Sequence, residues 1–177
     1  MIDSNGEEKI EEEKSSEDDV EGDNDDRTSF SKKDNNQNSA IMICLKKKKM
    51  EFVDLLLSSP KTNVIVEDTN GDNAALFALK NDLKDCLKKI LERKDLSINH
   101  KNKEGQSLLS IAMEKQELDV IKTILENPDV DLDYVEERLL FSIDNEMDEV
   151  AEIIGNFLLG VLKIFLCSIL IMLLKHG

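Results

Sequence analysis

The side chains best suited to acid–base, nucleophilic or metal chemistry are two histidines, His100 and His176, and three cysteines, Cys44, Cys86 and Cys167. Their spacing supports none of these roles. The cysteines are too few and too scattered for a disulfide framework or a zinc site, and neither histidine has a partner at metal-ligand spacing. No phosphate-binding glycine loop or nucleophile elbow accompanies them. The chain reads as a non-enzyme with no cofactor, no metal and no small-molecule substrate.

Charge is the next candidate for chemistry. The formal net charge is -15, and an Asp/Glu-rich run from Glu7 to Asp26, relieved by Lys9 and Lys14, carries much of it. No apolar period survives in residues 1–38, so this segment is expected to be a disordered acidic tail: a solubilising extension or a lure for a basic partner. Such a balance argues against nucleic acid as a partner. The one basic cluster, Lys46-Lys47-Lys48-Lys49, reads as a solvated polar turn, with nuclear import as the alternative. Nothing at the N-terminus resembles a secretory signal, and the cysteine usage suits a reducing cytosol or nucleus.

Whatever these residues do depends on the elements that position them, and those elements repeat. Gly71 and Gly105 stand 34 residues apart, and the same shift superimposes the apolar positions. Ile41, Ala75 and Leu109 coincide, as do Cys44, Ala78 and Ala112, then Val53, Leu87 and Ile121. Leu56, Ile90 and Ile124 form another column, Leu57, Leu91 and Leu125 a fifth, and Val64, Ile98 and Leu132 the last. A period in the thirties means stacked supersecondary units that share one core. Within the third unit, Leu108, Leu109, Ile111 and Ala112 predict a short helix. Leu118, Ile121, Ile124 and Leu125 predict a second, with Gln116-Glu117 as the polar break between them. Asn127-Pro128-Asp129 stops that helix, and Val130 to Asp133 is expected to run outward as an extended arm. In the preceding units the arm returns through Asp68-Thr69-Asn70-Gly71 and Lys101-Asn102-Lys103-Glu104-Gly105, where glycine supplies the positive φ of a tight turn.

This unit of helix, turn, helix and protruding turn resembles the ankyrin repeat. The family's opening Gly-x-Thr-Pro-Leu-His-x-Ala is matched by Gly105-Gln-Ser-Leu-Leu-Ser-Ile-Ala112 and, more loosely, by Gly71-Asp-Asn-Ala-Ala-Leu-Phe-Ala78. The proline and histidine are absent from both. Glu117 to Leu125 is similar to the family's second helix, and Asp95–Asn99 and Asp129–Asp133 to its exit into the hairpin. The resemblance implies an all-α solenoid with β-hairpin-like loops over residues 39–155; a tetratricopeptide-type stack, the alternative, lacks the glycine hairpin. It further implies protein binding through hairpin tips and the exposed side of the first helix. Transferred residue by residue, that surface is Asn70, Asp72, Asn73, Lys103, Glu104 and Gln106, with Lys80 and Glu114 beside it.

A fourth unit is shortened. Aligning Val150, Ile153 and Ile154 with Ile121, Ile124 and Leu125 takes a step of 29 residues, and Val135-Glu136-Glu137-Arg138 has no turn glycine. Helices are expected at Leu139–Ile143 and Glu146–Asn156 without the hairpin, an atypical end unit for a solenoid. Residues 156–174 then read as a transmembrane helix, with a short tail at 175–177. From Phe157 to Leu174 the run is apolar on every side except for Lys163, and eighteen helical residues span about 27 Å, close to a bilayer's hydrocarbon thickness. Lys163 costs about 2.5–3.5 kcal/mol at a helix centre, but it lies near one end and can snorkel.

Together these readings describe a protein-interaction adaptor held at a membrane by a C-terminal tail anchor, its repeats facing the cytosol. Two alternatives stand beside it. One is a soluble cytosolic or nuclear adaptor whose apolar helix docks on a partner; the other is a fragment of a larger ankyrin-bearing membrane protein such as a channel.

Overall fold

The structure is a computed structural model that describes residues 33–34 and 37–176, with side chains of the last helix up to residue 169. The expectation of a disordered acidic tail therefore concerns residues that lie almost wholly outside the described ones. Eight helices occur among the described residues: α1 (Ala40–Lys46), α2 (Met50–Ser58), α3 (Ala74–Lys80), α4 (Lys84–Leu91), α5 (Leu108–Glu114), α6 (Leu118–Leu125), α7 (Leu132–Asp144) and α8 (Asp148–His176). There is no strand among them; one isolated antiparallel bridge joins Lys101 and Ser107 at the base of a loop.

Local sequence explains where helices begin. Asn73 caps α3 by accepting the Leu76 N–H at 3.0 Å. Ser107 caps α5 by accepting from Ser110 N at 3.1 Å, and the Ser110 hydroxyl reaches back to Ser107 N at 2.9 Å. Such reciprocal capping satisfies two backbone donors that the helix itself leaves orphaned. Within each unit the two helices turn on one residue of positive φ, and none of the four is glycine: Lys48, Asp82, Gln116 and Glu146, at 52°, 56°, 55° and 55°.

Packing follows the columns. α1, α3 and α5 stack side by side, α2 packs on α4, and α6 packs on α8. Ile41, Val53, Leu76, Leu87, Ile90, Leu108, Ile121 and Ile124 form one continuous buried seam along the stack. Helices this short are marginal alone, so burial against neighbours is what holds them.

The end unit departs from expectation in three ways. Residues 130–133 do not form an extended arm: Asp131 caps α7 by accepting from Asp133 N and Tyr134 N at 3.1 and 3.2 Å, and Leu132 is already helical. Leu132 consequently stays exposed, unlike its column mates Val64 and Ile98. The repeat step is 30 residues, not 29, because Met147 N bonds Ser142 O as Glu117 N bonds Ala112 O, both at 2.9 Å. The third departure concerns α8, which does not stop at Asn156. α6 ends before Asn127-Pro128, but 30 residues later the corresponding pair is Phe157-Leu158, and nothing there breaks the ladder. A shallow cleft between the two helices is lined by Lys122, Leu125, Glu126, Ile153, Asn156 and Phe157.

Candidate protein-binding surface

Three loops recur at 34-residue spacing, one more than the glycines reveal. Asp68 donates its N–H to Asp72 O at 3.0 Å and receives Gly71 N at 3.0 Å on its carbonyl. Its carboxylate accepts Asn70 N and Asp72 N at 2.9 and 3.1 Å. Asn102 repeats the pattern with Gly105 N on its carbonyl and with Glu104 N and Gln106 N on its side-chain oxygen, at 3.0 and 2.9 Å. Asp34 does the same for Asn38 N at 2.8 Å. The residue of positive φ is Gly71 at 78°, Gly105 at 76°, and Gln37 at 63° in the first loop. In the first loop Gln37 replaces the glycine that marks the other two, so the sequence signal common to all three is the acceptor column Asp34, Asp68 and Asn102.

Adjacent loops interlock. Lys103 N bonds Asn70 O at 3.1 Å, and its ammonium reaches Thr69 O at 2.7 Å. Lys33 joins the first loop to the second in the other direction, its ammonium donating to Glu67 O one repeat ahead at 3.1 Å. The Asn102 amide donates to the Asp72 carboxylate at 2.8 Å, and the His100 ring nitrogen Nε2 lies 2.7 Å from Gly71 O. His100 is thus a loop clamp, with Glu67 3.7 Å from its other nitrogen.

The residues nominated for binding divide on this geometry. Asn70, Lys103 and Glu104 are exposed at the tips, and Gln106 is half-buried beside them. Asp72 and Asn73 are not accessible: they are 3% and 1% exposed. Asn73 is occupied as a helix cap, while Asp72 takes the Lys80 ammonium on both carboxylate oxygens at 2.9 Å. A buried carboxylate requires such partners. Lys80 is therefore half-buried and folded onto its own loop. Lys46, the last residue of α1 in the preceding unit, bonds the Asn38 side chain of its own loop and Asp68 of the next, the latter at 3.3 Å, while remaining exposed. The third unit has Glu114 in this place, exposed and with no ion-pair partner among the described residues.

On the opposite edge, ion pairs tie neighbouring units: Lys89–Asp54 at 2.5 Å, Lys84–Glu117 at 2.8 Å and Lys115–Asp82 at 2.6 Å. The Lys115 hydrogen bond and charge hold the Asp82 carboxyl below its ordinary range, and Glu117 raises the Lys84 ammonium above its own. Such exposed pairs contribute little stability individually but fix register. Arg93 does more, donating to Leu57 O, Ser59 O and Thr62 O at 3.2, 2.8 and 2.9 Å. Cys86 is buried with Sγ 3.3 Å from Met50 Sδ, and burial pushes its thiol upward, which suits a packed hydrophobe rather than a nucleophile. No group of His, Cys, Asp and Glu suited to a metal occurs among the described residues.

Short stacked helix pairs, capped by interlocking Asx loops, meet the family's own description: a family model for ankyrin repeats, in three copies, matches residues 41–136. The chain belongs to the ankyrin-repeat family. No curated protein and no solved structure matches it significantly. Ankyrin repeats mark a protein–protein interaction module. The match ends within α7, where the hairpin geometry also ends.

Proposed function

We propose that the accessible portion of the loop surface, Asn70, Lys103, Glu104 and Gln106 with Glu114 and the outer edge of Lys80, docks a partner protein, and that α8 holds the module at a membrane with its repeats on the cytosolic side. The observation that carries the membrane half is the character of α8. Residues 148–169 are long and apolar enough to cross a bilayer, with a mean hydropathy of 2.0 over an 18-residue stretch within them. Beyond the repeat, Leu159, Leu162, Ile164, Phe165, Leu166 and Ile169 are all exposed and cover most of the helix circumference, leaving a narrower strip of Asn156, Gly160, Lys163 and Cys167. Apolar surface of that extent does not stay in water; lipid or another protein covers it.

Alkaline extraction of membranes from cells expressing the full chain separates those two coverings. A spanning α8 stays in the pellet; release into the supernatant overturns the anchor and favours a helix docked on a partner. For the loop surface, affinity capture compares the full chain with a Lys103→Glu/Glu104→Lys variant. Loss of the captured partner is expected, and capture unchanged by the variant contradicts the assignment. Asp72 is unsuited to this test because removing it disturbs the loop itself.

A further inference from the structure

The open face at the first unit combines charge with apolar surface. α2 turns Met50 and Asp54 toward α4, as the contacts to Cys86 and Lys89 show. At 100° per residue, Phe52 and Leu55 point the opposite way, out of the stack. They are 55% and 67% exposed. At the head of the same helix, Lys47, Lys48 and Lys49 are exposed and have no carboxylate partner among the described residues, while Lys46 beside them is fully engaged. Three unpaired ammonium groups thus border two uncovered apolar side chains. The turn lies at the end of the units shared by Glu146, opposite to where α8 leaves the stack, so a membrane engaged by α8 does not reach it.

We infer that the chain's own acidic segment, residues 7–26, docks on this face, its carboxylates over Lys47–Lys49. The chain enters the described structure at Lys33, next to the first loop, which leads directly into α1. Lys33 lies seven positions beyond Asp26, a reach of up to about 25 Å. α1 is seven residues long, about 10 Å from end to end, so the lysine turn falls well inside that reach. Tethering places the acidic run at an effective concentration of order millimolar, where several weak ion pairs acting together suffice. Phe30, in the stretch between, is the apolar side chain available to Phe52 and Leu55. The docked segment competes with any acidic partner for the same lysines.

Zero-length carbodiimide coupling of the full chain in detergent, read by peptide mass spectrometry, tests this. Amide links from residues 7–26 to Lys47, Lys48 or Lys49 are expected within one molecule. They should fall several-fold at 1 M salt, where the screening length shrinks to about 3 Å. A variant with the Asp and Glu residues of 7–26 changed to Asn and Gln leaves the repeats untouched, and in it amide exchange over residues 47–56 should speed up. Links spread evenly over all exposed lysines, links between isotopically distinct copies, or exchange that is the same in the neutralised variant would each overturn the docking.

Discussion

The turns at Gly71 and Gly105 have the same backbone and different surroundings. Gly71 is overlaid by the next loop: a Cβ placed there would come within 2.9 Å of Lys103 N. At Gly105 the same atom would meet nothing within 4 Å, because the unit that should overlie it has turned its hairpin into the first turns of α7. Tyr134 of α7 covers only the base of that loop, its hydroxyl accepting from Ser107 at 3.0 Å and its ring lying 4.0 Å beneath the Lys101 ammonium. The stack is thus locked in its middle and opened at its end, and the open end is the one that runs into the apolar helix.

Alanine at the two glycines measures that difference directly. Gly105→Ala meets only the left-handed backbone cost, about 1–2 kcal/mol. Gly71→Ala adds a backbone collision, and its loss should be larger by roughly another 1–3 kcal/mol. Chemical denaturation of the full chain in detergent checks both; equal losses would mean that the loops do not interlock.

The joints between units sharpen the contrast. Arg93→Ala removes a guanidinium that bridges three carbonyls of the first unit, and a loss of about 2–3 kcal/mol is expected. Asn99 holds the following joint with two bonds, to Asp129 O at 2.6 Å and from Asp131 N at 3.0 Å. Asn99→Ala should cost nearer to about 1 kcal/mol, in keeping with neutral hydrogen bonds. Melting of the two variants side by side decides it.

A gain is expected at the helix–helix turns. Gln116 holds a φ of 55°, so Gln116→Gly relieves left-handed strain and should stabilise by about 0.5–1 kcal/mol after the added flexibility of glycine is counted. The smallest effect concerns acid. The Arg93 guanidinium hydrogen-bonds Asp95 and keeps its carboxyl below the ordinary value of 3.8. A depressed folded value means that this contribution is present above the unfolded pKa and lost as pH falls below about 4. Asp95 is half exposed, so screening keeps the effect small. In Asp95→Asn the melting temperature should fall less steeply through that range; an identical slope would show that Asp95 contributes nothing there.

Much of the stack was legible because burial writes itself into the sequence at helical spacing. Five of the six columns lie on buried or half-buried sites throughout, and the glycine turns fall where their spacing placed them. The end unit was misread for a specific reason. The extended arm of the preceding units suggests one at residues 130–133 as well, whereas Asp131 followed by Leu132, Val135, Leu139 and Ser142 is a capped helix at three- and four-residue intervals. The binding residues were half legible. Sequence shows that Asp72 and Asn73 are polar and near a tip; it does not show that the tip folds inward on them. Lys80, eight residues on and matched by Lys46 one period earlier, was the clue to that inward pairing.

Repeats and membrane are joined only if α8 is one helix that starts as the last repeat helix, buries Val150 and Ile154 in the stack, and continues unbroken into the apolar run. Amide hydrogen exchange of the full chain reconstituted in lipid nanodiscs, followed from residue 148 to residue 169, tests it most directly. Continuous protection through Gly155, Asn156 and Gly160 is the predicted result. A fast-exchanging break between Ile154 and Val161 would contradict it, leaving the repeats and the apolar segment as separate bodies.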